Sequence, residues 1–256
     1  MKKFLNKETI KELRSIIYVI ILALAIRTFI FEPYHIPSTS MYDNLQIGDY
    51  LIGTKYNYGY SNKSIPYSPN LFSGRIFSVE PKRGDVIIFK AKNTGIDERF
   101  IKRLIGLPGD KVKITNGDLY INDIKIQKQY VEDIKDEKGN VFGKFIEVLP
   151  EGKQYNILRL KTNDTDYEQG YANNIPDFYV PEGHYFFLGD NRDHSADSRF
   201  QMGFVENQEL IAKAQLIFFS TSTKLWIDNG SIIEQISNIW PWLQSIQFHR
   251  IFNNLS

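Results

Sequence analysis

Apolar residues run unbroken from Ile16 to Ile26, inside the stretch SIIYVIILALAIRTFIF. A helix packed on a soluble core would show polar positions at a helical period, and almost none recur here. The pattern predicts a membrane anchor over residues 15–32, with Arg27 reaching back to the interface. The preceding MKKFLNKETIKELR carries five Lys or Arg against two Glu. That bias predicts residues 1–14 on the cytoplasmic side and the chain beyond about residue 32 on the outer side. No small-x-small site follows in RTFIFEPYHI, so the segment is expected to stay attached.

Past residue 32 the period shortens to that of strands and turns. GDYLIGTKYNYGYS reads as a turn and a strand, and YGYSNKSIPYSPNLFSG as a long irregular loop. The tyrosines of that loop suit either open surface or the lipid headgroup layer. RGDVIIFKAK predicts a turn and a buried strand, and ERFIKRLIGLPGD a second strand closed by a Pro-Gly turn. VKITNGDLYIND is a hairpin signal, with Asn116-Gly117 between two β-rich runs. Long apolar runs then disappear until VPEGHYFFLGD and ELIAKAQLIFFS restore them. The expected fold class is mainly β: an N-terminal transmembrane helix, then two antiparallel β-sheet domains. Residues 33–112 and 181–222 form the core and 113–180 a smaller insertion. The Trp-rich tail 223–256 suits core packing and membrane contact alike.

Composition narrows the chemistry. Formal net charge is +1, so no basic field invites nucleic acid. The absence of cysteine excludes disulfides, zinc thiolates and cysteine nucleophiles. Histidines at 35, 184, 194 and 249 show no HExxH or HxH spacing, and GLPGD lacks the Lys-Ser/Thr ending of a phosphate loop. No metal or cofactor is expected.

Two stretches carry reactive groups. IPSTSMYDNL places Ser38, Thr39 and Ser40 in a row, which is either a turn and cap or a nucleophile with neighbouring donors. A nucleophile needs a base. His35 and His194 are candidates, and so is Lys102, whose same-face neighbours Phe100 and Leu104 are apolar. Burial there depresses a lysine pKa, although a lysine paired with an acid is the other reading. GDNRDHSADSR reads as a salt-bridged turn, and its aspartates at 190, 193 and 197 miss the spacing of a calcium loop.

IPSTSM, GDYLIGTKYNYG, RGDVIIFK with FIKRLIGLPGD, and GDNRDHSADSRFQMGFV, in that order behind an apolar N-terminus, resemble the bacterial type I signal peptidase family. The likeness runs to about residue 220, and the YGYSNKSIPYSPNLFSGRIF loop is similar to alphaproteobacterial members. The resemblance implies a serine endopeptidase of the bacterial inner membrane, single-pass, with its catalytic part on the periplasmic side. It would remove signal peptides from exported preproteins after a small-x-small site, with preproteins and the lipid bilayer as partners and no metal or cofactor. By position, Ser40 is the implied nucleophile and Lys102 the implied general base. Ser38 and the Ser40 backbone N–H would form the oxyanion hole, Ser195 would bond the lysine, and Asp197 and Arg199 would brace the site. Ile36, Pro37, Met41, Leu45, Phe100 and Ile101 fall where the family lines shallow subsites. One departure stands out: Asp43-Asn44 occupies the place of the family's usual Pro-Thr. A Ser/Lys peptidase with one dedicated substrate and an inactive membrane-tethered peptide-binding module are the rival readings. Oligomeric state is left open.

Overall fold

The computed structural model describes residues 7–95, 98–136, 138–163, 166–223, 234 and 237–255. Helix α1 (Lys7–Phe29) covers the apolar run, and its residues 8–24 are all exposed. No helix among the described residues is long and apolar enough to cross a membrane. This overturns the expected transmembrane anchor over 15–32, and the single-pass topology is left without a spanning helix to support it. The physical reason lies in two arginines. Between Arg14 and Arg27 only residues 15–26 are free of charge. A helix of that length spans about 18 Å against about 30 Å of hydrocarbon. Nor is Arg27 a free snorkelling cation, since its guanidinium is bound 2.9 Å from Glu32.

The remainder is mainly β, as expected. In chain order the strands are β1 (Phe31–His35), β2 (Asp49–Thr54), β3 (Tyr60–Ser61), β4 (Arg75–Ile76), β5 (Val86–Lys90), β6 (Arg99–Gly106), β7 (Lys111–Thr115) and β8 (Asp118–Ile121). They continue with β9 (Ile124–Lys125), β10 (Gln127–Lys135), β11 (Val141–Val148), β12 (Gln154–Leu160), β13 (Ile175–Tyr179), β14 (His184–Leu188), β15 (Val205–Glu206) and β16 (Leu210–Ser220). The largest sheet has seven strands in the order β1-β2-β16-β5-β6-β14-β15, paired antiparallel throughout. The ELIAKAQLIFFS run thus becomes β16, a central strand whose apolar length fits burial between β2 and β5. Two smaller sheets, β13-β7-β8-β9 and β10-β11-β12, come from residues 111–179, and β3 and β4 form a short ribbon. The β7–β8 hairpin turns through Asn116 and Gly117, both at positive φ (50° and 71°), which is why that dipeptide signals this turn.

Packing joins the sheets. Ile105, Phe186 and Leu188 of the large sheet share one apolar cluster with Val112, Leu119, Phe145 and Ile157 of the smaller ones. A second cluster under the other half holds Ile36, Met41, Leu45, Leu51, Val86 and Ile217. Part of the tail, 224–233 and 235–236, lies outside the described residues. Beyond it α2 (Ile239–Gln244) sets Trp242 against Phe219, and Arg250 reaches into the sheet to pair with Asp49 at 2.6 Å.

Candidate active site

The IPSTSM segment leaves β1 and is pinned at both ends by apolar side chains. Ile36 and Met41 are buried in the core; between them Ser38 and Thr39 are exposed, while Ser40 is largely buried. The loop turns tightly, with Tyr42 N–H donating to Thr39 O (3.0 Å) and Leu45 N–H to Met41 O (2.8 Å). Asn191, from the segment after β14, grips it twice: its backbone N–H donates to Ser40 O (3.1 Å) and its Nδ2 to Thr39 O (3.2 Å).

Lys102 arrives from β6. Its Nζ lies 2.6 Å from Ser40 Oγ and 3.2 Å from Ile101 O, and the residue is only 4% exposed. Burial pushes its pKa down to about 8; Asp197 and Asp190 oppose that shift and Arg199 assists it. Neither His35 nor His194 bonds Ser40. His35 faces Tyr50, and His194 stands edge-on to Phe142. Sequence reasoning left three bases open, and the geometry brings only the lysine to the serine.

Ser38 Oγ sits 3.3 Å from Ser40 Oγ, and the Ser40 backbone N–H donates to no acceptor among the described residues. The Ser38 hydroxyl thus lies against the serine oxygen, and either hydroxyl of that pair can donate. Asp197 and Arg199 form a buried two-point pair, Nε to Oδ1 and Nη2 to Oδ2, both at 2.8 Å. Burial alone would raise the Asp197 carboxyl, but the Arg199 charge and the Gly189 N–H hold it below its ordinary range. Ser195 is close by, yet no bond to the lysine is formed among the described residues; its buried Oγ acts instead on the Asp197 carboxyl, helping to hold it below its ordinary range. Gly189 explains how closely this wall is packed. A Cβ there would meet Ser195 Oγ at 2.2 Å and Ser40 O at 2.5 Å.

The Ser40–Lys102 pair opens onto a cleft of about 870 Å³ lined by residues 32–41 on one side and 98–102 on the other. Strand β6 pairs with β5 along Arg99–Arg103, but β14 covers only Arg103, Leu104 and Gly106 on its other edge. No strand among the described residues pairs with residues 99–102 on the cleft side, as is required of an edge that accepts an extended peptide. Ile36, Pro37, Met41, Phe100 and Ile101 line this space; Leu45 does not, being fully buried in the core beside Met41.

Several supporting residues carried no sequence signal read in advance. Arg103 binds Asp190 through Nε and Nη2, both at 2.8 Å, which fixes the strand position next to Lys102. Glu32, at the far end of the cleft, is buried and receives Lys55 (2.9 Å), Arg27 (2.9 Å), Arg99 (3.1 Å) and the Tyr34 hydroxyl (3.0 Å). A lysine inside the strand-and-turn run GTKYNYG was the available hint.

Residues 8–219 match the family model described as "Signal peptidase, peptidase S26". The chain is 44% identical over 252 residues to a signal peptidase I of Rickettsia canadensis (strain McKiel), covering 98% of this chain and 95% of that protein. It is 45% identical over 253 residues to the signal peptidase I of Rickettsia conorii (strain ATCC VR-613 / Malish 7), covering 98% and 94%. A crystal structure of a signal peptidase I from Enterococcus faecalis V583 is 28% identical, covers 53% of this chain and 97% of its own, and superposes with a TM-score of 0.32. On the family match and the near full-length likeness to the rickettsial enzymes, the chain belongs to the signal peptidase family, peptidase S26, and is a serine endopeptidase.

Proposed function

We propose that this peptidase removes signal peptides from exported preproteins by a Ser40/Lys102 dyad, cutting after a small-x-small site. The observation that carries the reading is the 2.6 Å approach of a buried Lys102 Nζ, its pKa depressed to about 8, to Ser40 Oγ. A lysine in that state is neutral in part of the molecules near neutral pH and takes a proton from the hydroxyl it touches.

A preprotein segment lies in the cleft as an added strand on the free edge of residues 99–102. Ile36, Pro37, Met41, Phe100 and Ile101 then flank its side chains, with Leu45 supporting Met41 from the core. The shallow apolar walls suit Ala-sized residues. Ser40 Oγ attacks the scissile carbonyl as Lys102 accepts its proton. The Ser38 hydroxyl and the Ser40 N–H receive the oxyanion, each donor contributing about 3–4 kcal/mol to the transition state. Lys102 returns the proton to the leaving amine, and a water activated by the same nitrogen releases the acyl chain. Asp197 and Arg199 hold the wall behind the lysine. Ser195 is assigned to the same wall, without the direct bond to Lys102 that the family resemblance implied.

The reading places the reaction at a bilayer surface, where a preprotein presents its apolar signal segment. The exposed apolar side chains of α1, among them Ile17, Ile20, Ile21 and Leu24, support contact with lipid there.

The test is incubation of purified protein with several preproteins, with the new N-terminus of each product read by mass spectrometry. Cleavage of many preproteins after small-x-small sites, lost in Ser40→Ala, is the expected result. Cleavage of a single preprotein would point to a dedicated peptidase, and binding without cleavage to a peptide-binding module.

A further inference from the structure

The Asp43-Asn44 pair, which departs from the family's usual Pro-Thr, is not idle in the structure. Asn44 lies four residues beyond Ser40, and its Nδ2 donates both to Asp190 Oδ2 and to Asn156 O, each at 2.7 Å. A side-chain amide has two N–H donors, and both are used. Asp190 is the carboxylate that holds Arg103, the residue after Lys102, through two bonds at 2.8 Å. Its neighbour Asn191 grips Ser40 O and Thr39 O. The contacts close a ring that runs from Ser40 along its loop to Asn44, across to Asp190 and Arg103, and back through Lys102 to Ser40.

We propose that Asn44 is a positioning residue for peptide cleavage, whose side-chain amide keeps the nucleophile loop in register with the lysine strand by bonding Asp190 and the main chain of β12 together. The proposal rests on the reading of Ser40 and Lys102 as the catalytic pair. Three further bonds fix the tether from outside the ring. Asp43 pairs with Lys144 of β11 at 2.7 Å and accepts from Asn156 Nδ2 at 3.3 Å, while Arg250 donates to Asn44 O at 3.1 Å. The proline ring carries no acceptor to meet Lys144, and threonine has a single hydroxyl hydrogen where asparagine has two N–H donors. This chain therefore replaces a conformationally stiff turn with a polar tether to the three-stranded sheet. The tether matters because a displacement of about 1 Å between reacting groups costs on the order of a hundredfold in rate.

Asn44 also abuts the charges around the base. Asp190 and Asp197 face Lys102 as anions and Arg199 as a cation. Asn44→Asp turns two donors into a carboxylate beside Asp190, which breaks the tether and adds negative charge that favours the ammonium form of Lys102.

The experiment uses the full-length protein and a fluorogenic peptide with a small-x-small site, with pH profiles of kcat and KM. Asn44→Ala is expected to lower kcat about tenfold or more with KM within about twofold. Asn44→Asp is expected to lower kcat and to move the rising limb of the profile to higher pH, which a loss of stability alone does not do. Asn44→Thr keeps one donor and the family's side chain, and an intermediate kcat is expected if the bond to Asp190 is what counts. Wild-type kcat in Asn44→Thr together with an unmoved profile in Asn44→Asp would overturn the tether while leaving the dyad standing. A wild type that binds but does not cut the peptide would overturn the functional reading and the tether with it.

Discussion

In the proposed mechanism the lysine at position 102 serves catalysis at the expense of the fold, and Lys102→Met exposes the trade. Burial lowers its pKa from 10.5 to about 8. That gap corresponds to about 3 kcal/mol of folded-state destabilisation wherever the amine is protonated in both states. A lysine with a folded pKa below its unfolded one carries this penalty in full below about pH 8. The penalty fades as pH rises from there to about 10.4 and vanishes above. Methionine fills a similar volume without the charge, but it removes the donor that meets Ser40 Oγ and Ile101 O. Losing those contacts returns about 1 kcal/mol. Lys102→Met is therefore expected to be inactive and, at pH 7, more stable than wild type by about 2 kcal/mol, or roughly 4–8 °C in Tm. Urea unfolding of both proteins at pH 6.5, 7.5, 8.5 and 9.5 checks this, with the difference expected to shrink across the upper two values. A variant less stable than wild type at pH 7, or a difference that does not change with pH, would refute a buried lysine of depressed pKa.

Other consequences follow from neighbouring contacts. Ser38→Ala is expected to lower kcat by about 10²–10³ with KM nearly unchanged, read by steady-state kinetics, since the proposed mechanism has its hydroxyl meet the developing oxyanion. Gly189→Ala puts a methyl 2.2 Å from Ser195 Oγ and 2.5 Å from Ser40 O, so stability is expected to fall by about 1–3 kcal/mol and activity to fall further than stability explains. Circular dichroism melts beside active-site kinetics separate the two effects. Glu32→Gln leaves the fully buried Lys55 without its anion, and a stability loss of about 3–5 kcal/mol is expected in denaturant titration. Burial works to raise the Glu32 pKa, but Lys55, Arg27 and Arg99 outweigh it and hold the value at about 2. The stabilisation from Glu32 is thus present above about pH 4.5 and is lost as pH falls toward 2.

The parts of this molecule legible in the sequence are those set by local pattern. Asn116-Gly117 announced its hairpin because both positions need positive φ, and ELIAKAQLIFFS announced a buried strand by its unbroken apolar length. Lys102 was suspect because Phe100 and Leu104 share its face, yet only the fold could choose between lysine and the two histidines. The Ser40–Lys102 contact joins positions 62 residues apart, and no periodicity encodes it. The anchor was misread because apolar length was counted through Arg27, whose partner Glu32 lies just past the helix end. Asp190, Asn191 and Asn44 looked like solvated turn residues. Their work depends on partners 87, 152 and 146 positions away.

The most direct test of the proposed dyad is to trap the covalent intermediate it requires. Wild type, Ser40→Ala and Lys102→Met are mixed with an activated ester of a small-x-small peptide, acid-quenched at short times between pH 6 and 10, and examined by intact-mass and peptide-mapping spectrometry. The account predicts one acyl group, on Ser40, forming at a rate that rises with pH through about 8, and none on either variant. Acylation at another residue, or acylation of Lys102→Met at the wild-type rate, would contradict it.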